Sequence, residues 1–129
     1  MKKTLISSGS KFEEIAAYSR AVRVGNFITV GGTAPIGPDG KTHAPGNAAE
    51  QTRRCLEIIQ AALEEAGSGL EDVVRTRMLL KNIEDWEEVS RVKAEFFKDI
   101  RPVDTTMQVA GFVDPEWLIE IEVDAVIEK

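Results

Sequence analysis

The sequence predicts an α+β domain, a mixed six-stranded sheet with two helices packed on one face. Three observations carry that expectation. From Trp117 to Ile127 apolar and polar residues alternate with period two, the pattern of a strand with one buried face. Two stretches, opening near Asn47 and near Asn82, instead carry apolar residues at helical spacing. The elements run strands, helix, strand, helix, two strands, with no repeat, low-complexity segment or linker, so residues 1–129 are read as a single domain.

Taken in order, Thr4 to Ser8 reads as a short edge strand, followed by a polar linker through Glu14. Ala21 to Val24 and Phe27 to Gly31 are two strands joined by Gly25-Asn26, a dipeptide suited to a tight hairpin. The paired glycines Gly31-Gly32 mark either a bulge or a place where something approaches the backbone closely. Pro35 to Gly46 is a loop holding His43. Asn47 stands three residues before Glu50, as in a capping box. Cys55, Leu56, Ile59, Ala62, Leu63 and Ala66 then form the apolar stripe of a helix ending at Gly67. Cys55 on that stripe is read as a packing residue, because buried thiols are inert.

Val73 to Leu80 is the next strand, with Val74, Thr76, Met78 and Leu80 on one side and Val73, Arg75, Arg77 and Leu79 on the other. Asn82 is expected to cap a second helix, with Glu84 and Asp85 in its first turn and Trp86, Val89, Val92, Phe96 and Phe97 as its stripe, closing before Arg101-Pro102. Two strand-like runs follow around a loop with Asp114-Pro115. In the second, Trp117, Ile119, Ile121, Val123, Ala125 and Ile127 face the core and Glu120, Glu122 and Asp124 face away. Two helices cover one face of a sheet only. The other face should pair Arg75 and Arg77 with these carboxylates, at about 0.2–1 kcal/mol per pair, and be partly covered by other subunits. The chemistry is expected where the acidic row meets Asp104 and Thr106.

Composition narrows the function classes. A net charge of -6 and a pI near 4.9 argue against a nucleic-acid partner, and the basic pairs Lys2-Lys3 and Arg53-Arg54 have no aromatic interleaving. No run approaches the roughly 20 apolar residues of a membrane span. The opening MKKTLISSGS has no apolar signal region, and one cysteine allows no intrachain disulfide, so a reducing cytoplasm is expected. One histidine, and no zinc-like Cys/His spacing, leave no metal site or cofactor to expect.

Several stretches, in order, resemble the RidA (YjgF) superfamily of small trimeric proteins, whose founding activity is hydrolysis of reactive enamines and imines. They are Tyr18 to Asn26, Phe27 to Pro35, Glu50-Gln51-Thr52-Arg53, Ala66-Gly67, Leu70 to Thr76, Glu95-Phe96-Phe97, Arg101-Pro102 and Ile119 to Ala125. The resemblance implies a chorismate-mutase-like subunit, a homotrimer with a central barrel, and small-molecule pockets at the subunit interfaces. It implies Glu120 as the catalytic carboxylate that orients an attacking water, and Tyr18, Gly32, Ser90, Asp104 and Thr106 as substrate-binding positions. Tyr18 matches the aromatic residue that closes the pocket, and Gly32 a backbone position near the substrate. Thr106 stands where many members have cysteine and Ser90 where several have asparagine. The Gly-Pro that usually precedes the tyrosine is replaced by Ala16-Ala17.

The pattern departs at Asp104, where deaminase members carry an arginine that grips the substrate carboxylate. An aspartate there repels a carboxylate and removes charge-assisted hydrogen bonds of about 1.5–3 kcal/mol each, though it could pair with an amine or a hydroxyl-rich ligand. Arg101, an odd three residues away and followed by proline, is expected on the opposite face and is no obvious replacement. Each position also has a plain reading: Glu120 as one carboxylate of a polar face, Tyr18 as interface packing, Asp104 as a strand-initial turn residue. The sequence thus supports a Rid-like hydrolase or deaminase for a small imine or enamine without the usual α-carboxylate. The alternative is a non-catalytic trimer that binds a metabolite or partner; endoribonuclease activity ranks last.

Overall fold

The computed structural model describes residues 2–128. Its sheet runs β1 (Lys3–Ile6), β2 (Ala21–Val24), β3 (Phe27–Thr33), β6 (Ile119–Val126), β4 (Val73–Leu80), β5 (Val103–Gln108), in that spatial order. All neighbours are antiparallel except β4 and β5. A parallel pair cannot be closed by a tight turn, and the chain makes the crossover through α3 (Trp86–Phe97). The longer α2 (Ala48–Glu65) lies beside α3 on the same face. Between helices and sheet sit Ile28, Val30, Leu56, Ile59, Leu63, Met78, Leu80, Ile119, Ile121 and Val123, all buried. Each contributes about 1.5–3 kcal/mol by leaving water.

Hairpin β2–β3 turns through Gly25 (φ 60°), with Val24 and Phe27 paired across it. Asn47 caps α2, its Oδ1 accepting from the Glu50 N–H at 3.0 Å. The Glu50 carboxylate turns to Arg53 instead of closing the box. Cys55 is buried, and burial above all pushes its thiol pKa well up, with the Glu120 charge adding to it.

Four expectations need correction. The polar segment before Tyr18 contains a helix, α1 (Lys11–Ala16), capped by Ser10, whose Oγ accepts from the Phe12 N–H at 3.2 Å. Strand β4 does not alternate throughout. Val73 pairs with Ala125 and Arg75 with Asp124, so Val74 is an extra, bulged residue that faces out, while Val73 is buried with Thr76, Met78 and Leu80. Asn82 makes no side-chain cap. It precedes a short 3-10 turn, Ile83–Asp85, whose first N–H is taken by Gln108 Oε1 at 2.9 Å, and Trp86 consequently swings out to solvent. Trp117 is buried, but it precedes β6 and is not part of it.

The face away from the helices carries the predicted charge rows. Arg77 is paired with Glu122, and Asp124, in register with Arg75, accepts from Thr29 Oγ1 at 2.7 Å. The same face exposes Phe27, Val103, Met107 and Val126.

Candidate functional site

The expected site residues fall in two clefts. The first, of about 760 Å³, lies where α1, the β3 bulge and the start of β6 meet, and its walls include Tyr18, Arg20, Gly32, Trp117 and Glu120. Between the pairs Val30–Val123 and Thr33–Ile121 strand β3 has one residue more than β6, so Gly31-Gly32 is a bulge. It is also a close approach: a Cβ on Gly32 would stand 2.6 Å from Glu120 Oε1. Only glycine lets that carboxylate lie over the backbone. Both local readings of the glycine pair therefore hold.

Arg20, which the sequence reading did not single out, organises this cleft. Its side chain is buried, and Nη1 donates to Gly32 O at 2.6 Å and to Thr33 Oγ1 at 3.1 Å, fixing the bulge. Its guanidinium lies 5.5 Å from the Tyr18 ring centroid, and its Nε stands 3.8 Å from Glu13 Oε2. Glu13 in turn accepts from Ser7 Oγ at 2.8 Å and from the Ser8 N–H at 3.1 Å. Burial pushes the Glu13 carboxyl up, but the Ser8 and Ser7 hydrogen bonds and the Arg20 charge outweigh it and hold the pKa below the usual range. Helix α1 ends with Ala17 in the left-handed conformation (φ 57°), which turns Tyr18 outward.

Glu120 is held differently. Burial raises its pKa above the ordinary carboxylate range; Arg20 offsets part of this and Glu122 adds to it. Gln51, fully buried on α2, fixes the chain entering β6: its Nε2 donates to Glu116 O at 3.0 Å and its Oε1 accepts from the Leu118 N–H at 2.8 Å.

Ser90, Asp104 and Thr106 line the second cleft, of about 410 Å³, together with Trp86, Lys93, Lys98 and Arg101. Asp104 pairs in register with the buried Thr76 and so faces the helices, whereas Glu120 pairs with Leu79 and points to the open face. The acidic row and Asp104 therefore do not meet within one subunit, contrary to the sequence expectation. Nor is Asp104 free for a ligand amine. Its Oδ1 accepts from Thr76 Oγ1 at 2.7 Å and lies 3.0 Å from Lys93 Nζ, and its Oδ2 accepts from Thr106 Oγ1 at 2.6 Å. Burial pushes this carboxyl up, but the bonds from Thr106, Thr76 and Lys93 prevail and its pKa is lowered. Arg101 precedes β5 with a positive φ of 57°, so strand alternation does not govern it, and it lines the same cleft as Asp104 instead of the opposite face. Among the described residues no group of three or more His, Cys, Asp or Glu side chains is placed to hold a metal ion, and no helix is long and apolar enough to cross a membrane.

Residues 8–127 match the family model described as Endoribonuclease L-PSP. The chain belongs to the RidA (YjgF) superfamily. Among solved structures, a YjgF/YER057c/UK114 family member from Mycobacterium tuberculosis is 43% identical, with a TM-score of 0.89 over 98% of this chain and 100% of that one. A RutC family protein of Pyrococcus abyssi is 38% identical over 95% of both chains. A relative from Acinetobacter baylyi named 3-aminoacrylate deaminase RutC is 35% identical over 94% of this chain and 95% of its own. The six-stranded chorismate-mutase-like fold expected from the sequence is thus the fold of a RidA superfamily member.

Proposed function

We propose that this RidA superfamily protein hydrolyses a small imine or enamine, with Glu120 activating water. The observation that carries the reading is the position of the Glu120 carboxylate, packed over Gly32 in the Tyr18 cleft and made more basic by burial. Glu120 takes a proton from water as its oxygen adds to the C=N carbon, and the nitrogen is protonated and leaves as ammonia. The products are a carbonyl compound and ammonia; an enamine reaches the same route after tautomerising to its imine. The deaminase name of the Acinetobacter baylyi relative supports the reaction class.

The six expected site residues divide between two clefts, with Glu120 and Asp104 on opposite faces of the sheet, so a site uniting them takes Tyr18, Gly32 and Glu120 from one copy and Ser90, Asp104 and Thr106 from its neighbour. The apolar side chains Phe27, Val103, Met107 and Val126 on the open face support such an assembly, which we take to be a homotrimer around a central barrel. Sedimentation tests it, and a monomer at working concentration contradicts it. The activity test is ammonia release from a panel of carboxylate-bearing and neutral imines, generated in place by an amino-acid or amine oxidase. Glu120→Gln should lower the protein-dependent acceleration of that release over the spontaneous rate by about 10²–10⁴-fold.

A second reading, a trimer that binds a metabolite without chemistry, draws on the occupied state of Asp104, whose oxygens all serve intramolecular partners. Saturable binding in calorimetry with no product on any substrate of the panel favours it. The net charge of -6 weighs against RNA as substrate.

A further inference from the structure

We propose that Arg20 is a positioning residue for Glu120: its buried guanidinium holds the Gly31-Gly32 bulge in the shape that receives the Glu120 carboxylate, and it sets a fixed positive charge near that carboxylate without pairing with it. The consequence for turnover rests on the function proposed above. The main chain fixes where this arginine starts. Its N–H donates to Ile6 O at 2.8 Å and its carbonyl accepts from the Gly31 N–H at 3.0 Å, tying it to β1 on one side and to the bulge on the other. The side chain then folds back onto the same bulge. Nη1 lies 3.3 Å from Gly31 O, 2.6 Å from Gly32 O and 3.1 Å from Thr33 Oγ1, and the buried Thr33 hydroxyl donates onward to Gly31 O at 2.8 Å. The bulge puts an extra residue outside the β3–β6 ladder, so the side chain supplies the support that strand pairing does not.

Burying this cation is costly. Arg20 is 4% exposed, its Nε is buried without a hydrogen-bond partner, and Glu13 at 3.8 Å is its one ion-pair partner among the described residues. Its place in the cleft gives the charge a use. Glu120 lines the same cleft and forms no ion pair with Arg20, yet it lies within reach of the Arg20 charge. The other groups around Glu120 are Glu122 on its own strand and the Cys55 thiol on α2, while Lys11, Tyr18 and Arg54 also line the cleft. Burial pushes the Glu120 carboxyl up, Arg20 pulls it back and Glu122 pushes it up again. A general base has to be basic and still ionised at the working pH. Burial supplies the first property and Arg20 the second. A direct ion pair would have engaged the carboxylate oxygens, as Lys93 and two threonines engage those of Asp104.

The test reads the Glu120 midpoint by carbon-13 NMR in the assembled protein, independently of turnover, for the native protein, Arg20→Gln and Arg20→Lys. Arg20→Gln removes the charge and should move the midpoint up, carrying the acid limb of the kcat/KM profile to higher pH with it. Arg20→Lys keeps the cation and loses the fork. Its Glu120 midpoint should stay near the native one, while the Gly31 amide exchanges its hydrogen about 10-fold faster and kcat/KM falls about 10- to 100-fold as the bulge loosens. An arginine that only stabilises the fold would lower the melting temperature and leave the Glu120 midpoint where it was. An unmoved or lowered midpoint in Arg20→Gln, or native Gly31 exchange in Arg20→Lys, therefore overturns the proposal. Should Arg20→Gln fail to assemble, Arg20→Lys decides by itself: faster Gly31 exchange with a near-native Glu120 midpoint supports the positioning role, and native exchange overturns it. The two claims separate cleanly. A midpoint that moves in Arg20→Gln with no turnover of any imine by the native protein sinks the hydrolase and leaves Arg20 positioning Glu120, while turnover with an unmoved midpoint does the reverse.

Discussion

The two clefts each present one carboxylate, and the fold treats them in opposite ways. Asp104 is cross-tied by Thr76, Thr106 and Lys93 and held acidic. Glu120 lies against the Gly32 backbone with its burial only partly offset by the Arg20 charge, and it is held basic. Environments that push two carboxyl groups apart assign them different work. A carboxylate tied by three donors across both its oxygens is a structural member, whereas one that is under-solvated is suited to take a proton.

The largest effect that can break this contrast is at Glu120. Glu120→Gln should lower turnover by about 10²–10⁴-fold without loss of stability at neutral pH. The sign follows from the raised pKa. An acid whose folded pKa lies above its unfolded one costs stability as pH rises through the ordinary carboxylate range, and that cost is complete above the folded value. Its amide should therefore melt no lower than the native protein at pH 7 in calorimetry, and a large drop in melting temperature would make Glu120 structural.

Gly32→Ala sharpens the same side of the contrast. The added methyl meets only the far end of the Glu120 side chain, so the fold should tolerate it while the carboxylate is displaced. A loss of about 10²-fold in kcat/KM with a nearly unchanged melting temperature is expected, since small misplacements of a catalytic group cost that much.

Asp104→Ala should act the other way round, chiefly on stability. It leaves the buried Thr76 hydroxyl and Lys93 without their partner, at about 1–3 kcal/mol, read from denaturant titration. With a depressed folded pKa, the Asp104 contribution is present above the ordinary aspartate range and lost as pH falls through the folded value. The gap between variant and native protein should accordingly close in acid. At the bottom of the scale, Arg77→Ala removes a half-exposed pair with Glu122 on the open face and should cost about 0–1 kcal/mol in a free subunit. A far larger loss in the assembled protein would show that this face is buried between subunits.

What the sequence discloses follows the range of the interaction. The alternation of Ile119 to Val126, the α2 stripe and the Gly25 hairpin are local patterns, and each element stands where its pattern puts it. Helix α1 was missed because six residues are too few to show periodicity, although Ser10 and Glu13 stand at capping-box spacing. The outward turn of Val74 needs the β4–β6 register, which no single strand contains. At the site, Tyr18, Gly32 and Glu120 do share a cleft, as the resemblance implies. Arg20, Gln51 and Lys93 escaped notice because their partners lie across the fold: Gln51 reaches the start of β6, and Lys93 on α3 reaches Asp104 on β5. The face on which Asp104 falls depends on its parallel register with Thr76, so the alternation of β6 could not reveal that it and Glu120 point apart.

The most direct test of the contrast is to titrate both carboxyl groups in the assembled protein by carbon-13 NMR, using Glu120→Gln and Asp104→Asn to assign the signals. Glu120 should titrate above the ordinary glutamate value of about 4.3 and Asp104 below the ordinary aspartate value of about 3.9. A Glu120 midpoint at or below its ordinary value, or an Asp104 midpoint above its own, would contradict the division of labour between the two clefts.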